Sequence, residues 1–118
     1  MAAIDLAREF ISRLNGREAR GVADLFAPDG AIIDLEGQRY QGMASIIRFV
    51  EELPLGTTTR VADRDIGTHD VTLRGVLEMP RREPVEVAWH FRVGDERITE
   101  LTMQSLEPRP DATSSDTR

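Results

Sequence analysis

The chain has 118 residues, a formal net charge of -6 and no cysteine. That length fits one domain that folds without metal or disulfide bonds, and the absence of cysteine excludes thiol nucleophiles and zinc-thiolate sites. The acidic balance argues against a nucleic-acid partner. Because the sequence lacks both a signal-peptide pattern and the roughly 20 apolar residues that cross a bilayer, we expect a cytoplasmic protein with no membrane partner.

Two helices are predicted before the first strand. Between residues 3 and 15, apolar side chains recur at helical spacing and charged side chains fill the other face, which predicts an amphipathic helix. An Asn-Gly pair at residues 15–16 follows the last apolar side chain, where a residue with positive φ is favoured. A second, shorter helix is predicted over residues 18–26, and the Pro-Asp-Gly segment at residues 28–30 predicts a turn.

The first predicted strand carries an acidic residue. Residues 31–35 are short, apolar and rich in β-branched side chains, with Asp34 near the end, and residues 36–38 predict the turn that ends the strand. Over residues 43–53 the apolar side chains return to helical spacing and predict a third helix. That helix should stop before Pro54, because the residue preceding a proline avoids the helical region.

The second half of the chain has the period of strands. Alternating apolar and polar side chains and the turns between them predict strands over residues 57–67, 71–79, 85–93 and 97–106. These elements favour an α+β fold in which a curved antiparallel sheet wraps around the three helices. We expect one domain over residues 1–107, and the Pro, Asp, Ser and Thr content of residues 108–118 predicts a disordered tail.

Five short segments stand in a recognisable order along the chain. They are Phe-Ile-Ser-Arg-Leu-Asn at residues 10–15, Leu-Phe-Ala-Pro-Asp-Gly at 25–30, Asp34, Tyr-Gln-Gly at 40–42 and His-Phe-Arg-Val at 90–93. With the order of elements, they resemble the nuclear transport factor 2-like superfamily, which includes ketosteroid isomerases and SnoaL-like polyketide cyclases. The resemblance implies a cone-shaped sheet closed by helices, a cystatin-like roll, with an apolar small-molecule pocket at its open end.

The resemblance implies a partial catalytic site. Ketosteroid isomerases use an aspartate base, and a tyrosine and a protonated aspartate hold the oxyanion. On the matching segments, the base position falls on Asp34, the tyrosine position on Phe10 and the second aspartate position on Trp89. Because the loss of one oxyanion donor lowers the rate by about 10²- to 10³-fold, classical steroid isomerisation is not expected.

Asp34 is the candidate general base. It shares its predicted strand face with Ile32, and a carboxylate in apolar surroundings is suited to take a proton from carbon. The alternative is an aspartate at a strand end that caps a turn or accepts hydrogen bonds from backbone amides before Gly37. Both interpretations stay open at this level.

The resemblance also implies which side chains would line the pocket. Trp89 shares a predicted strand face with Phe91, and its indole could form a wall on which a ligand stacks or simply fill the cavity. The ligand-binding candidates are Phe10, Leu14, Phe26, Tyr40, Phe49, Trp89, Phe91, Leu101 and Met103. An open cavity with Asp34 at its wall would favour ligand chemistry, whereas a cavity plugged by Phe10, Met103 and Trp89 would favour a scaffold.

The opposite strand face is the candidate partner surface. Glu86, His90 and Arg92 alternate away from the pocket, and in this superfamily the outer sheet face commonly packs against a second subunit. The resemblance therefore implies a homodimer through this face. With only two histidines, far apart in the chain, no metal site is predicted, and no cofactor is expected.

Two functional hypotheses follow from these residues. The first is a cofactor-free enzyme of the isomerase or cyclase type, in which Asp34 acts as general base on a small apolar carbonyl compound. The second is a non-catalytic module that has lost the oxyanion donors and binds a small apolar ligand or a protein partner.

Overall fold

The computed structural model describes residues 2–106 and contains three helices in that range. Helix α1 spans Ala3–Asn15, α2 spans Ala19–Ala23 and α3 spans Met43–Glu52. None of the helices in the described range is long and apolar enough to cross a membrane. The tail predicted at residues 108–118 lies outside the described residues.

Six strands of the described chain form one sheet. They are β1 (Phe26–Ile33), β2 (Arg39–Gln41), β3 (Thr58–Ile66), β4 (Asp70–Glu78), β5 (Val85–Gly94) and β6 (Arg97–Ser105). Their order across the sheet is β2-β1-β6-β5-β4-β3, and the sheet is curved and does not close. The α+β fold is confirmed. The pair β1 and β6 is parallel, however, so the sheet is mixed and not antiparallel throughout. Turn residues in the sequence indicate pairing only between strands that follow each other along the chain, and β1 and β6 do not follow each other.

The start of β1 differs from the prediction. Helix α2 ends at Ala23, three residues early, and the predicted turn at residues 28–30 lies inside β1. In this segment β1 shifts its register against β6, so the Pro-Asp-Gly sequence forms an irregularity in the strand. Gly30 is needed there, because a β-carbon at this position would lie 2.9 Å from the backbone oxygen of Ile98.

The end of α1 is closed by Arg17. Gly16 has a φ of -81°, and the predicted positive φ occurs instead at Arg17, with a φ of 59°. The Arg17 amide donates to the carbonyl of Leu14 at 3.0 Å, one of the paired bonds of a Schellman motif. The Arg17 guanidinium also donates to the carbonyls of Glu51 and Pro54 at the end of α3. These two hydrogen bonds explain why an arginine occupies this position of positive φ, which glycine usually fills.

The core lies between the helices and the sheet. Helix α1 packs against β3, β4 and β5, whereas α3 packs against β1 and β2. The apolar face of α1 is buried as predicted, through Ala3, Leu6, Ala7, Phe10, Ile11 and Leu14. Buried positions alternate along β4, from Val71 through Leu73 to Leu77, as the period of a strand with one covered face requires.

Candidate functional site

Asp34 lies in the turn that joins β1 to β2. Strand β1 ends at Ile33, so Asp34 follows the strand and does not lie inside it as predicted. Its Oδ1 accepts hydrogen bonds from the backbone amides of Glu36 and Gln38, both at 2.9 Å. The Asp34 carbonyl accepts a further bond from the amide of Gly37 at 2.9 Å. The side chain therefore organises the turn through one of its two carboxylate oxygens.

The strand register shows which residues neighbour the end of β1. In the parallel pair β1 and β6, the last pair is Ile33 opposite Thr102; Asp34 follows Ile33 in the turn, and Met103 follows Thr102 in β6. Met103 is in turn opposite Trp89 on β5. Continuing the β1 register by one residue beyond the end of the strand gives a row of Asp34, Met103 and Trp89. Within the described residues Oδ2 of Asp34 has no hydrogen bond, which leaves this oxygen available for a proton.

Tyr40 on β2 is buried beside this turn. Its ring packs edge-on against Phe49, with centroids 5.2 Å apart, and the Arg48 guanidinium lies 5.8 Å from its centroid. Burial raises the pKa of the Tyr40 hydroxyl above its usual value, and the carboxylates of Asp34 and Glu52 add to that shift, whereas Arg48 opposes it. Tyr40 is therefore a neutral phenol and a potential hydrogen-bond donor.

Phe10 is the centre of an aromatic cluster in the interior. Its ring centroid lies 5.3 Å from that of Phe91, 5.8 Å from that of Trp89 and 6.1 Å from that of Phe26. All four side chains are buried. Tilted and edge-on pairs of this kind add about 0.5–1.5 kcal/mol each beyond the burial of their surface. The two positions that the resemblance relates to oxyanion donors therefore contact each other.

The indole N-H of Trp89 is an unusual feature of this cluster. Trp89 is 1% exposed, and its Nε1 has no hydrogen-bond partner in the described part of the chain. A buried donor without a partner costs roughly 1–3 kcal/mol and calls for an explanation, such as a bound ligand or water.

All nine pocket candidates are buried. They are Phe10, Leu14, Phe26, Tyr40, Phe49, Trp89, Phe91, Leu101 and Met103. The structure brings Phe10, Phe26, Trp89 and Phe91 together, and it places Tyr40 and Phe49 as a separate pair near the Asp34 turn.

A cavity of about 250 Å3 opens between α1 and the strands β3 and β4. It is lined by Arg8, Ile11, Val61, Arg64 and Leu73. None of these residues was a site candidate, because in the sequence Arg8 and Arg64 look like ordinary surface arginines. Their proximity depends on how β3 pairs with β4, which no local pattern shows.

The outer sheet face is polar and carries His90 at its centre. The His90 Nδ1 lies 3.0 Å from the Thr72 hydroxyl, and its Nε2 lies 3.0 Å from Oε1 of Gln104. Glu86 and Arg92 are exposed on the same strand. A cavity of about 320 Å3 on this face is lined by Asp70, Val71, Thr72, His90, Phe91, Arg92, Glu100 and Thr102. Within the described range, no group of three or more acidic, histidine or cysteine side chains could hold a metal ion.

Comparison with known proteins identifies a family and a fold. The model of the SnoaL-like domain matches residues 7–101. A crystal structure of a protein from Sphaerobacter thermophilus is 49% identical, with a TM-score of 0.85, over 91% of this chain and 98% of that one. A Kribbella flavida protein provisionally named a ketosteroid isomerase is 25% identical, with a TM-score of 0.77, over 90% and 81% of the two chains.

A more distant structure has the same fold. A Sinorhizobium meliloti protein provisionally named a polyketide cyclase is 20% identical, with a TM-score of 0.77, over 85% of this chain and 94% of that one. At that identity the likeness concerns the fold alone. No curated protein matches the sequence.

Proposed function

The chain belongs to the SnoaL-like domain family, and on that premise we propose that it binds a small apolar carbonyl compound and transfers a proton on it without a cofactor. The N-H of Trp89, which has no hydrogen-bond partner among residues 2–106, is the observation that supports this proposal, and the continued register places it in the row with Met103 and Asp34. In this interpretation Asp34 is the general base and Trp89 donates the hydrogen bond to the substrate oxygen.

The row has dimensions that suit a small substrate. With the register of β1 continued by one residue, Asp34 and Trp89 would be two strand spacings apart, about 10 Å between backbones, with Met103 between them. A carbonyl compound above Met103 would present its oxygen to the Trp89 N-H and the neighbouring C-H to Asp34. The C-H electron pair then forms the enolate, Oδ2 of Asp34 takes the proton, and return of that proton to a different carbon completes an isomerisation.

Phe10 controls access in this proposal. Its ring packs against Trp89 and Phe91 in the interior, and in this proposal movement of that ring admits the substrate. The remaining candidate residues would form the apolar walls around the substrate.

Hydrogen exchange tests the proposal without knowledge of the natural substrate. A panel of apolar cyclic ketones is incubated with the protein in D2O, and NMR follows deuterium incorporation next to the carbonyl. Asp34→Asn should lower catalysed exchange about a hundredfold or more. The amide oxygen of asparagine can still accept the bonds from Glu36 and Gln38, so this variant should remain folded. Exchange at the wild-type rate in Asp34→Asn, or no catalysed exchange of any ketone, would refute the proposal.

Trp89→Phe examines the proposed donor separately. It removes the N-H and keeps an aromatic ring, and exchange should fall about 10²- to 10³-fold, the usual effect of losing one oxyanion donor. An unfolding curve gives the fraction of the variant that is folded, and the measured exchange rate is divided by that fraction. Unchanged exchange in the folded variant would remove Trp89 from the proposed mechanism.

The packing of Phe10 favours a second candidate, the non-catalytic module in its scaffold form, in which the interior is filled and no small ligand is bound. Phe10 fills the space next to Trp89, and the Asp34 carboxylate accepts the backbone hydrogen bonds of the turn. Both residues therefore have a structural role that requires no catalysis. In that case native mass spectrometry of the purified protein should detect no bound apolar molecule, and ketone exchange should equal that of buffer. A co-purified ligand lost on Phe10→Trp would contradict this candidate.

We further propose that the outer sheet face forms a homodimer contact. The proposal is supported by the polar row in which His90 links Thr72 to Gln104, with Arg92 and Glu86 exposed beside it. Sedimentation velocity should show a dimer that His90→Glu weakens at least tenfold, because each subunit would add a carboxylate to a contact that already contains Glu86. A monomer at all concentrations would refute this contact.

A further inference from the structure

The cavity between α1 and β3 combines an apolar floor with two cationic side chains. Ile11 and Leu73 are buried at its base, and Val61, 42% exposed, forms one side. Arg8 lies one helical turn before Ile11 and therefore on the same side of α1. The lining of the cavity thus combines apolar side chains with two arginines.

A bulge in β3 determines that Arg64 takes part. Val61 is opposite Gly75, but the register then shifts, and Arg64 is opposite Leu73. Residues opposite each other in an antiparallel pair project to the same face, so Arg64 projects to the covered face with Leu73. Without the extra residue, the alternation from Val61 would have placed Asp63 at this position. The bulge therefore places the guanidinium of Arg64 on this face, where the carboxylate of Asp63 would otherwise be.

Gly75 permits this bulge. A β-carbon on Gly75 would clash with the backbone oxygen of Arg60, so the two strands approach too closely here for any other residue. The bulge therefore depends on a specific glycine in the neighbouring strand. Bulges of this kind commonly re-aim a side chain at a functional site.

Both guanidinium groups are available to a ligand. Within residues 2–106, neither Arg8 nor Arg64 forms a side-chain ion pair, whereas five other arginines pair with carboxylates. Guanidinium groups bind carboxylates through charge-assisted, often bidentate hydrogen bonds. A volume of about 250 Å3 is below the range of about 300–1,000 Å3 of drug-sized ligands, so the occupant is small.

From these features we propose a second binding site, in which Arg8 and Arg64 hold the carboxylate of a small amphipathic acid and Ile11, Val61 and Leu73 contact its apolar body. None of these residues belongs to the interior site proposed above, so this proposal does not depend on that one.

Calorimetric titration with 4-phenylbutyrate tests the site. We expect saturable one-to-one binding that Arg8→Gln and Arg64→Gln each weaken about tenfold or more, because each variant removes a charged hydrogen bond. Arg20→Gln is the matched control, since Arg20 is exposed on α2, lies outside the cavity and changes the net charge equally. That control should bind 4-phenylbutyrate with wild-type affinity.

Two further measurements separate charge from apolar contact. The neutral amide of the same acid should bind at least tenfold more weakly than 4-phenylbutyrate. Val61→Thr preserves the shape of the side chain and should also weaken binding, because it places a hydroxyl against the apolar body of the ligand. Backbone amide NMR shifts should change most at Val61, Arg64 and Leu73.

Absence of saturable 4-phenylbutyrate binding would overturn the proposal. Binding that survives the double variant Arg8→Gln/Arg64→Gln, or that falls equally in Arg20→Gln, would do so as well, since it would reflect net charge or another site.

Discussion

The rings of Phe10 and Trp89 lie 5.8 Å apart, and these residues occupy the two positions at which the resemblance to ketosteroid isomerases places the oxyanion donors. The contact gives the interior an aromatic packing in place of two O-H donors. It also leaves the Trp89 N-H as a buried donor without a partner among the described residues. Binding of a ligand in this interior therefore depends on whether the Phe10 ring can move aside.

Truncation of Phe10 should measure how much this packing contributes. We expect Phe10→Ala to lower the free energy of unfolding by about 3–5 kcal/mol, because a buried ring that contacts three other rings leaves a cavity. Urea unfolding followed by circular dichroism provides the measurement. Phe10→Leu serves if the alanine variant does not fold, and its loss should be smaller. Leu55→Ala is the control, since Leu55 is 76% exposed and should shift stability by no more than about 0.5 kcal/mol. Equal effects of Phe10→Ala and Leu55→Ala would contradict the packing described.

The turn role of Asp34 can be separated from its proposed chemical role. Asp34→Ala removes both hydrogen bonds to the amides of Glu36 and Gln38 and should lower stability by about 1 kcal/mol. Asp34→Asn keeps an acceptor at Oδ1 and should lose less than half of that. Thermal unfolding of the two variants beside the wild type makes the comparison. An asparagine variant as unstable as the alanine variant would show that the negative charge, and not the acceptor, organises the turn.

Gly75 should tolerate no side chain. The β-carbon of Gly75→Ala would meet the Arg60 backbone oxygen, and relief of that clash requires the bulged strand β3 to move, at a cost of more than about 2 kcal/mol. Gly94→Ala on β5 is a matched control, because its β-carbon would lie 3.4 Å from the Thr99 methyl group, an ordinary contact. Chemical denaturation gives both values. Similar stabilities for the two variants would contradict the close approach of the β3 and β4 backbones at Gly75.

Tyr40 should produce a pH dependence at the alkaline end. Burial raises its pKa above the usual 10.0, so the folded protein holds the phenolic proton where the unfolded chain releases it. The stabilisation is fully present below pH 10 and is lost as pH rises through the raised pKa. Tyr40 is the single tyrosine, and the chain has no lysine or cysteine, so no other side chain titrates in this window. The absorbance at 295 nm reports the titration directly.

The matching variant for this test is Tyr40→Phe. Its unfolding free energy should be independent of pH between about 9 and 11, whereas that of the wild type should decline above pH 10. A wild-type protein whose tyrosine titrates at 10.0 or below would refute the effect of burial.

The sequence by itself determined the α+β class, the family and most element positions, because these depend on local periodicity, turn residues and the order of short segments. Helix α1 follows from its apolar stripe alone, and β4 and β5 follow from their alternation. Asp34 was identified as a residue of interest for the same reason, as a carboxylate at the end of an apolar run.

Only the tertiary structure decided which side chains those residues contact. The parallel pairing of β1 with β6 is non-local, and it brings the end of β1, directly before Asp34, opposite Thr102, the residue before Met103, which in turn is opposite Trp89. The bulge that brings Arg64 to the covered face depends on backbone contact with the next strand, and without it alternation from Val61 would place Asp63 there. Local patterns specify which face of an element is apolar, but register and close backbone approach between distant segments specify which side chains share a site.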